Sequence, residues 1–329
     1  MADRLPLGVA DADCIPATDK TTSCCYHSQM SFRFIARRTL AGFCVLLILT
    51  IVSSLHAAIN PDWTAPQKPF WIAGNLYYVG SRDLAAYLVT TPAGNILINA
   101  NLKSSPPQIR ASVEQLGFRW SDVRILLISH AHFDHAAGSA QILRETGAAM
   151  MVMDGDAQVV EDGDPHDFAG SDVPPFPAAY VSRVLQDGDE VRLGGTVLTA
   201  HKTAGHTRGC TTWTMQVLDD GHRRNVAIVG GLYALSSYRL LSTRSRRASY
   251  PGIAEDFERG FAVLRTLPVD IFLGAHGSYF NMQEKLTRMP REGSAVWVDH
   301  HGYQRAVDEA EAEIQKRLAT ERRKAGGLH

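Results

Sequence analysis

Three histidines and an aspartate fall within six positions at His130-Ala131-His132-Phe133-Asp134-His135. No other stretch constrains the fold as much. An apolar run, Ile125 to Ile128, leads into it. Side chains like these repel when protonated and are hard to satisfy when buried, so no common structural need puts them together. Neutral imidazole nitrogen and carboxylate oxygen both suit zinc. The plain alternative is a solvated loop that happens to be rich in histidine. A metal-binding cluster at a strand end calls for a layered α/β protein, in which sites are commonly built at strand ends.

Two further histidines stand where such a cluster needs partners. His206 lies in Thr203-Ala204-Gly205-His206-Thr207, a turn after a strand ending at His201. His276 lies in Gly274-Ala275-His276-Gly277, directly after a short apolar strand. A nearby glycine lets the backbone bend tightly at each. Either alone is an ordinary loop histidine; together with the cluster they form a constellation. Three imidazoles and one open position make a catalytic zinc site, which His130, His132 and His206 can supply. Asp134, His135 and His276 can supply a second zinc close by. Two zinc ions sharing a water would lower its pKa toward ~7 and hold a hydroxide ready. The chemistry implied is hydrolysis of an ester, amide, lactone or phosphoester.

Periodicity places these motifs. Residues 71–80 read as one strand, and 84–91 with 96–100 as a hairpin turning at Pro92-Ala93-Gly94-Asn95. A helix opens at Ser104-Ser105-Pro106-Pro107 and stops at Gly117. After the strand at 124–128, a helix is expected over about 138–146 and a strand over 149–153. Residues 154–180 contain seven acidic positions, Asp156 among them, and Pro174, Pro175 and Pro177; they read as an irregular solvated loop. Short strands follow over 181–185, 191–193, 196–201, 211–217 and 225–229. A helix over 253–267, a strand over 270–273 and a helix from Tyr303 to about Arg323 complete the chain. The last helix puts Tyr303, Val307, Ala310, Ile314 and Leu318 on one face. The strand–helix order runs once before residue 155 and again, more loosely, after 180. That suggests two similar halves with the ligands at the seam.

A net charge of −1 gives no reason to expect nucleic acid as a partner. Four of the five cysteines precede residue 45, so the body holds Cys210 alone and no internal disulfide. Arg33, Arg37 and Arg38 precede an apolar run from Leu40 to Val52, followed by Ser53, Ser54, Ala57 and Ala58. That is the form of an export signal; the run is short of the ~20 apolar residues of a membrane span. An uncleaved anchor is the alternative. We expect a non-native extension over 1–29, with Met30 the true start, a signal peptide over 30–57 and one domain over 58–329. The mature chain would be periplasmic, with no stable membrane association.

The motif His130-x-His132-x-Asp134-His135, with His206 and His276, resembles that of the metallo-β-lactamase superfamily. Residues 125–139, 193–213, 250–257 and 270–276 are most similar to its subclass B3. The resemblance implies an α/β (α+β) protein built as a four-layered αββα sandwich, with two zinc ions per chain as cofactor. It implies a small-molecule β-lactam as partner, its amide bond cleaved by a hydroxide held between the zincs. Asp134 would hold the second zinc and orient that hydroxide. We also expect a monomer. Ser236 and Ser237 lie where the subclass contacts the substrate carboxylate, and Tyr233 is a candidate pocket residue. His201 and Thr203 are candidates for a supporting role.

After strand 225–229 the chain reads Gly230-Gly231-Leu232-Tyr233. It has neither the metal-bridging aspartate usual in lactone- and thioester-hydrolysing relatives nor the cysteine ligand of other β-lactamase subclasses. Such a lactone or thioester hydrolase is the alternative function. Gly231 replaces a serine common in the subclass and is expected to widen the floor of the site. Asn99 and Asn101 stand where relatives often carry an aspartate behind a ligand histidine. Residues 240–249, with Arg244, Arg246 and Arg247, are either a solvated loop or a basic flap beside the site.

Overall fold

Side chains alternate along a strand, and in three central strands both faces are apolar. In β3 (Tyr87–Thr91), β4 (Gly94–Ile98) and β5 (Val123–Leu127), Tyr87, Val89, Ile96, Ile98, Ile125 and Leu127 enter one core. Leu88, Leu97, Val123 and Leu126 enter another. Strands buried on both faces need a layer on each side.

The computed structural model describes residues 60–163, 168–170 and 173–326. The expected extension (1–29) and signal peptide (30–57) lie outside the described residues. The first sheet runs in chain order: β1 (Phe70–Ala73), β2 (Leu76–Tyr78), β3, β4, β5, β6 (Ala149–Met153) and β7 (Arg183–Leu185). It is antiparallel as far as β4 and parallel from β4 to β7. The second sheet has β12 (Ile271–Gly274) at one edge, then β11 (His222–Val229), β10 (Thr211–Asp219), β9 (Thr196–Lys202) and β8 (Glu190–Leu193). Only the β11–β12 pair is parallel.

Tyr78, Tyr87 and Ile98 of the first sheet share one core with Leu198, Trp213 and Val226 of the second. On the other face of the first sheet, α1 (Pro106–Gln115) and α3 (Ser139–Thr146) bury Ile109, Val113 and Ile142. The second sheet is covered by α5 (Ile253–Thr266), through Phe257, Phe261 and Leu264, and by α7 (His300–Gly326). The result is the expected αββα sandwich. All five residues of the expected α7 stripe are buried. Val307, Ile314 and Leu318 alone contribute about 1.5–3 kcal/mol each, comparable together with the low end of a domain's net stability of ~5–15 kcal/mol. The C-terminal helix is therefore part of the fold and not an appendage.

Several elements differ from expectation. Residues 71–80 form a hairpin, β1 and β2, because Gly74 takes φ +53° and reverses the chain. Residues 154–180 include a helix, α4 (Ala157–Asp162), which buries Ala157 and Val160 and ends at the left-handed Gly163. The acidic composition concealed that apolar face. The ligand cluster contains a helical turn of its own, α2 (Phe133–Ala136). Between His276 and Asp299 lie α6 (Met282–Glu292) and two 3-10 turns, for which no expectation existed. Among the described residues, no helix is long and apolar enough to cross a membrane.

Candidate metal centre

The ligand stretch leaves the first sheet where the two sheets are stitched together. Ser129 N–H donates to Asn99 Oδ1 at 2.8 Å. The Ser129 carbonyl accepts Thr211 N–H at 2.8 Å, and the Ile128 carbonyl accepts the Trp213 indole at 3.0 Å. His130 follows at once, and the α2 turn then brings Asp134 and His135 round to the same side. His206 comes from the β9–β10 connection. Gly205, at φ +132°, lets that turn lie on α5, since a Cβ there would meet the Phe257 ring at 2.6 Å. His276 follows β12, where it forms an isolated bridge with Leu84.

The six predicted ligands converge as two triads. The rings of His130, His132 and His206 form a triangle with centroid separations of 4.8, 4.5 and 4.6 Å. In the second triad, His135 Nε2 lies 3.2 Å from His276 Nε2 and 3.3 Å from Asp134 Oδ2, and His276 Nε2 lies 3.5 Å from Asp134 Oδ2. A tetrahedral zinc with bonds of ~2.0–2.1 Å has ligand–ligand edges of roughly 3.3 Å, so these spacings suit one cation. Donor atoms of His130, Asp134 and His135 also fall within 4.8 Å of one another, so the triads abut. His130 Nε2 is buried without a hydrogen-bond partner, a costly state for a polar atom unless something binds it. The residues present fit a metal.

Electrostatics agree. Burial, and then the neighbouring rings, hold His130 and His132 well below the usual histidine pKa; burial also lowers His135, and brings His206 to about 4. Burial opposes the charge on His276 too, but hydrogen bonds to Asp134 and Asp83 outweigh it and raise the ring to about 9. Burial likewise opposes the Asp134 anion, yet His135 and His276 keep it well below the ordinary carboxylate range. The site thus offers neutral imidazole lone pairs beside an anionic oxygen, and a cation would take the place of the proton on His276.

Supporting groups orient the rings, and sequence reasoning missed the most important ones. Asp83 Oδ2 lies 3.0 Å from His276 Nδ1 and accepts the Trp63 indole N–H at 3.1 Å; Asp83 Oδ1 accepts Ser278 N–H at 2.9 Å. Burial opposes its charge, but the His276 contact takes Asp83 down to about 2. Asp156, buried, accepts from Ala131 N–H (2.8 Å), Thr207 Oγ1–H (2.7 Å) and Gly209 N–H (2.7 Å). Tyr238 donates to the His206 carbonyl at 2.8 Å and stands 3.4 Å from His132 Nε2. No local pattern marks any of the three: Asp83 precedes an ordinary strand, Asp156 sits in an acidic run, and Tyr238 follows two serines.

Other expectations need correction. Gly231 does not widen the site. The His206 ring lies against it, and a Cβ there would fall inside the ring's van der Waals envelope. Asn99 and Asn101 donate to the carbonyls of Ala85 and Leu84, at 3.1 and 3.0 Å, and so fix backbone at the mouth of the first sheet. Tyr233 contributes through its carbonyl, 2.6 Å from His206 Nδ1. Ser236 and Ser237 are exposed on the same loop, in a groove against α7 that also includes Arg246. His201 pairs with Thr214 at 2.8 Å and Thr203 with Thr212 at 3.0 Å. Cys210, a buried thiol pushed up to about 12 by burial, accepts Gly231 N–H at 2.9 Å.

A sheet sandwich with two abutting donor triads at one edge defines the fold of a metal-dependent hydrolase. Residues 82–218 match the family model of the metallo-β-lactamase superfamily. The FEZ-1 metallo-β-lactamase from Legionella gormanii is 45% identical, with a TM-score of 0.75, over 78% of this chain and 98% of that one. BJP-1, a subclass B3 metallo-β-lactamase of Bradyrhizobium japonicum, is 32% identical (TM-score 0.73) over 79% of this chain and 97% of that one. The class B3 di-zinc enzyme LRA-12 from an Alaskan soil metagenome is 36% identical (TM-score 0.73), covering 80% and 98%. A metal-dependent hydrolase of Anaeromyxobacter dehalogenans is 32% identical over 124 residues, 37% of this chain and 42% of that protein. The chain thus spans less than half the length of that curated relative. The chain belongs to the metallo-β-lactamase superfamily.

Proposed function

We infer that this protein is a zinc-dependent β-lactamase, exported to the periplasm, that hydrolyses the amide bond of β-lactam antibiotics. The observation that carries this reading is the donor set. The two triads stand without a carboxylate or thiol from the end of β11, where Gly230 and Gly231 lie, in a chain 45% identical across nearly all of a metallo-β-lactamase. We assign His130, His132 and His206 to one zinc and Asp134, His135 and His276 to the other. Zinc bound there supplies Lewis acidity and a water acidified toward ~7.

The chain's own residues set up that chemistry. Ser129 Oγ at His130 Nδ1 (3.2 Å), the Tyr233 carbonyl at His206 Nδ1 and Asp83 at His276 Nδ1 each engage one ring nitrogen and turn Nε2 inward. His132 is reversed: its Nε2 faces Tyr238, which makes Nδ1 the donor we assign to zinc. In this reading Asp134, anionic and buried among the ligand rings, accepts a hydrogen bond from the attacking water and orients its oxygen toward the carbonyl. No covalent intermediate is needed, so no serine nucleophile is invoked.

The test is turnover of a penicillin, a chromogenic cephalosporin and a carbapenem by the zinc-loaded protein, with and without chelator, beside a homoserine lactone and a glutathione thioester. β-Lactam turnover abolished by chelation supports the reading. Turnover of the lactone or thioester alone would replace it with the other hydrolase. N-terminal sequencing of protein recovered from the periplasm tests export.

A further inference from the structure

The loop from Gly230 to Gly252 joins β11 to α5 without helix or strand. Loops of this length without regular structure are uncommon in compact domains and usually functional. It supplies two of the groups that orient the first triad, the Tyr233 carbonyl on His206 and the Tyr238 hydroxyl on His206 and His132. Within 234–241 its own backbone closes a turn, Tyr238 N–H to Leu235 O at 3.0 Å. Arg239 also pairs with Ser249 across the loop, Ser249 N–H to Arg239 O at 2.8 Å and Arg239 N–H to Ser249 Oγ at 2.9 Å. Further support comes from outside the loop.

The holder is one turn of α7. Arg317 Nη1 donates to the carbonyls of Leu235 (2.7 Å) and Ala234 (3.3 Å), and Nη2 to those of Ser236 (3.1 Å) and Tyr238. Four residues on, Glu321 accepts Leu240 N–H at 3.0 Å and Leu241 N–H at 2.9 Å. The two side chains lie 3.6 Å apart and are about four-fifths buried. Two side chains therefore satisfy six backbone groups of the loop. The planar guanidinium suits converging carbonyls in a way that the point charge of a lysine does not. Because α7 is bound to the core by its buried stripe, the clamp ties the loop to the rigid body of the domain.

We propose that Arg317 and Glu321 are positioning residues for the metal centre: they hold Tyr233 and Tyr238 where those residues orient His206 and His132. The chain of contact runs from α7 through the loop backbone to the outer edges of two imidazoles. Arg317 and Glu321 touch no ligand, and no local sequence pattern marks them. The proposal rests on the ligand assignment made above, not on the β-lactam substrate.

The experiment compares Arg317→Ala, Arg317→Lys, Glu321→Gln and Tyr238→Phe in the full chain by three measurements. Zinc affinity, by chelator competition, should fall on the order of 10-fold in Arg317→Ala and Tyr238→Phe, the scale on which outer hydrogen-bond partners act. Amide exchange at Tyr238, Leu240 and Leu241 should quicken in the Arg317 and Glu321 variants. Arg317→Lys should follow Arg317→Ala, since it keeps the charge and loses the fork. In the Tyr238→Phe background, Arg317→Ala should add much less than it does alone to the loss of kcat/KM and of zinc affinity. Equal losses with and without Tyr238, or unchanged zinc affinity in a folded Arg317 variant, would overturn the proposal. If Arg317→Ala does not fold, Arg317→Lys and Glu321→Gln carry the same comparisons. If no β-lactam is turned over, the substrate reading fails, while the zinc and exchange measurements still decide the clamp.

Discussion

Asp156 accepts the Thr207 hydroxyl at 2.7 Å, across 51 positions of sequence. The same carboxylate accepts the N–H groups of Ala131 and Gly209, so one buried side chain ties the His130–His135 stretch to the His206 turn. Asp156→Ala leaves two buried N–H groups without acceptors, at ~1–3 kcal/mol each. We predict a loss of about 2–5 kcal/mol in denaturant unfolding of the zinc-free protein, with Asp156→Asn intermediate because one oxygen remains. A stability within 0.5 kcal/mol or so of the parent would contradict this.

Asp83 is predicted to control the second zinc and not the first. Asp83→Ala removes the acceptor facing His276 Nδ1 and should weaken binding of one zinc equivalent by about 10- to 100-fold, the other staying near its original affinity. Titration of the zinc-free protein followed by calorimetry resolves the two. Equal weakening of both would show that Asp83 supports the fold at large.

Gly231→Ala sets a methyl against the His206 ring. The ring must move or the loop must give, at about 1–3 kcal/mol for an overpacked interior. We expect weaker zinc binding at the three-histidine site and lower kcat. Unchanged zinc affinity in the Gly231→Ala variant would mean that the ring has room to shift without penalty.

Stability of the zinc-free protein should pass through a maximum near pH 6.5. His206 falls to about 4 on folding, from 6.5. Between those values the unfolded chain binds more protons, so stability is lost as pH falls through that window. His276 rises to about 9. Its contribution is full below 6.5 and is lost as pH climbs through 9. Zinc requires His276 to release its proton at the metal-facing nitrogen, so loading should remove the alkaline limb and deepen the acid one. Thermal melts from pH 4.5 to 9.5, with and without zinc, check this; identical profiles would show that the bound metal is not held by these rings.

Much of the site was legible because its chemistry allows few residue types. His130, His132, Asp134 and His135 stand within six positions, and His206 and His276 each follow a strand. Their supports were not legible, since several of them are backbone. The Tyr233 and His206 carbonyls belong to groups every residue carries, and only placement gives them a role. Asp83 lies 193 positions from His276, beyond any local pattern. Asp156 was read as solvated because its neighbours are acidic, although the helix it precedes has an apolar face.

By itself, the sequence determined the order of strands and helices and the α7 stripe, and the kind of chemistry, through its donor atoms; the layered architecture followed from its resemblance to the superfamily. Which carboxylate faces which ring, how Gly231 is used and what holds the 230–252 loop were decided by the tertiary structure alone. Hydrophobic burial depends on residue type and period, which a linear string records. Hydrogen-bond geometry depends on sub-ångström placement of groups distant in the chain, which exists only once the layers have packed.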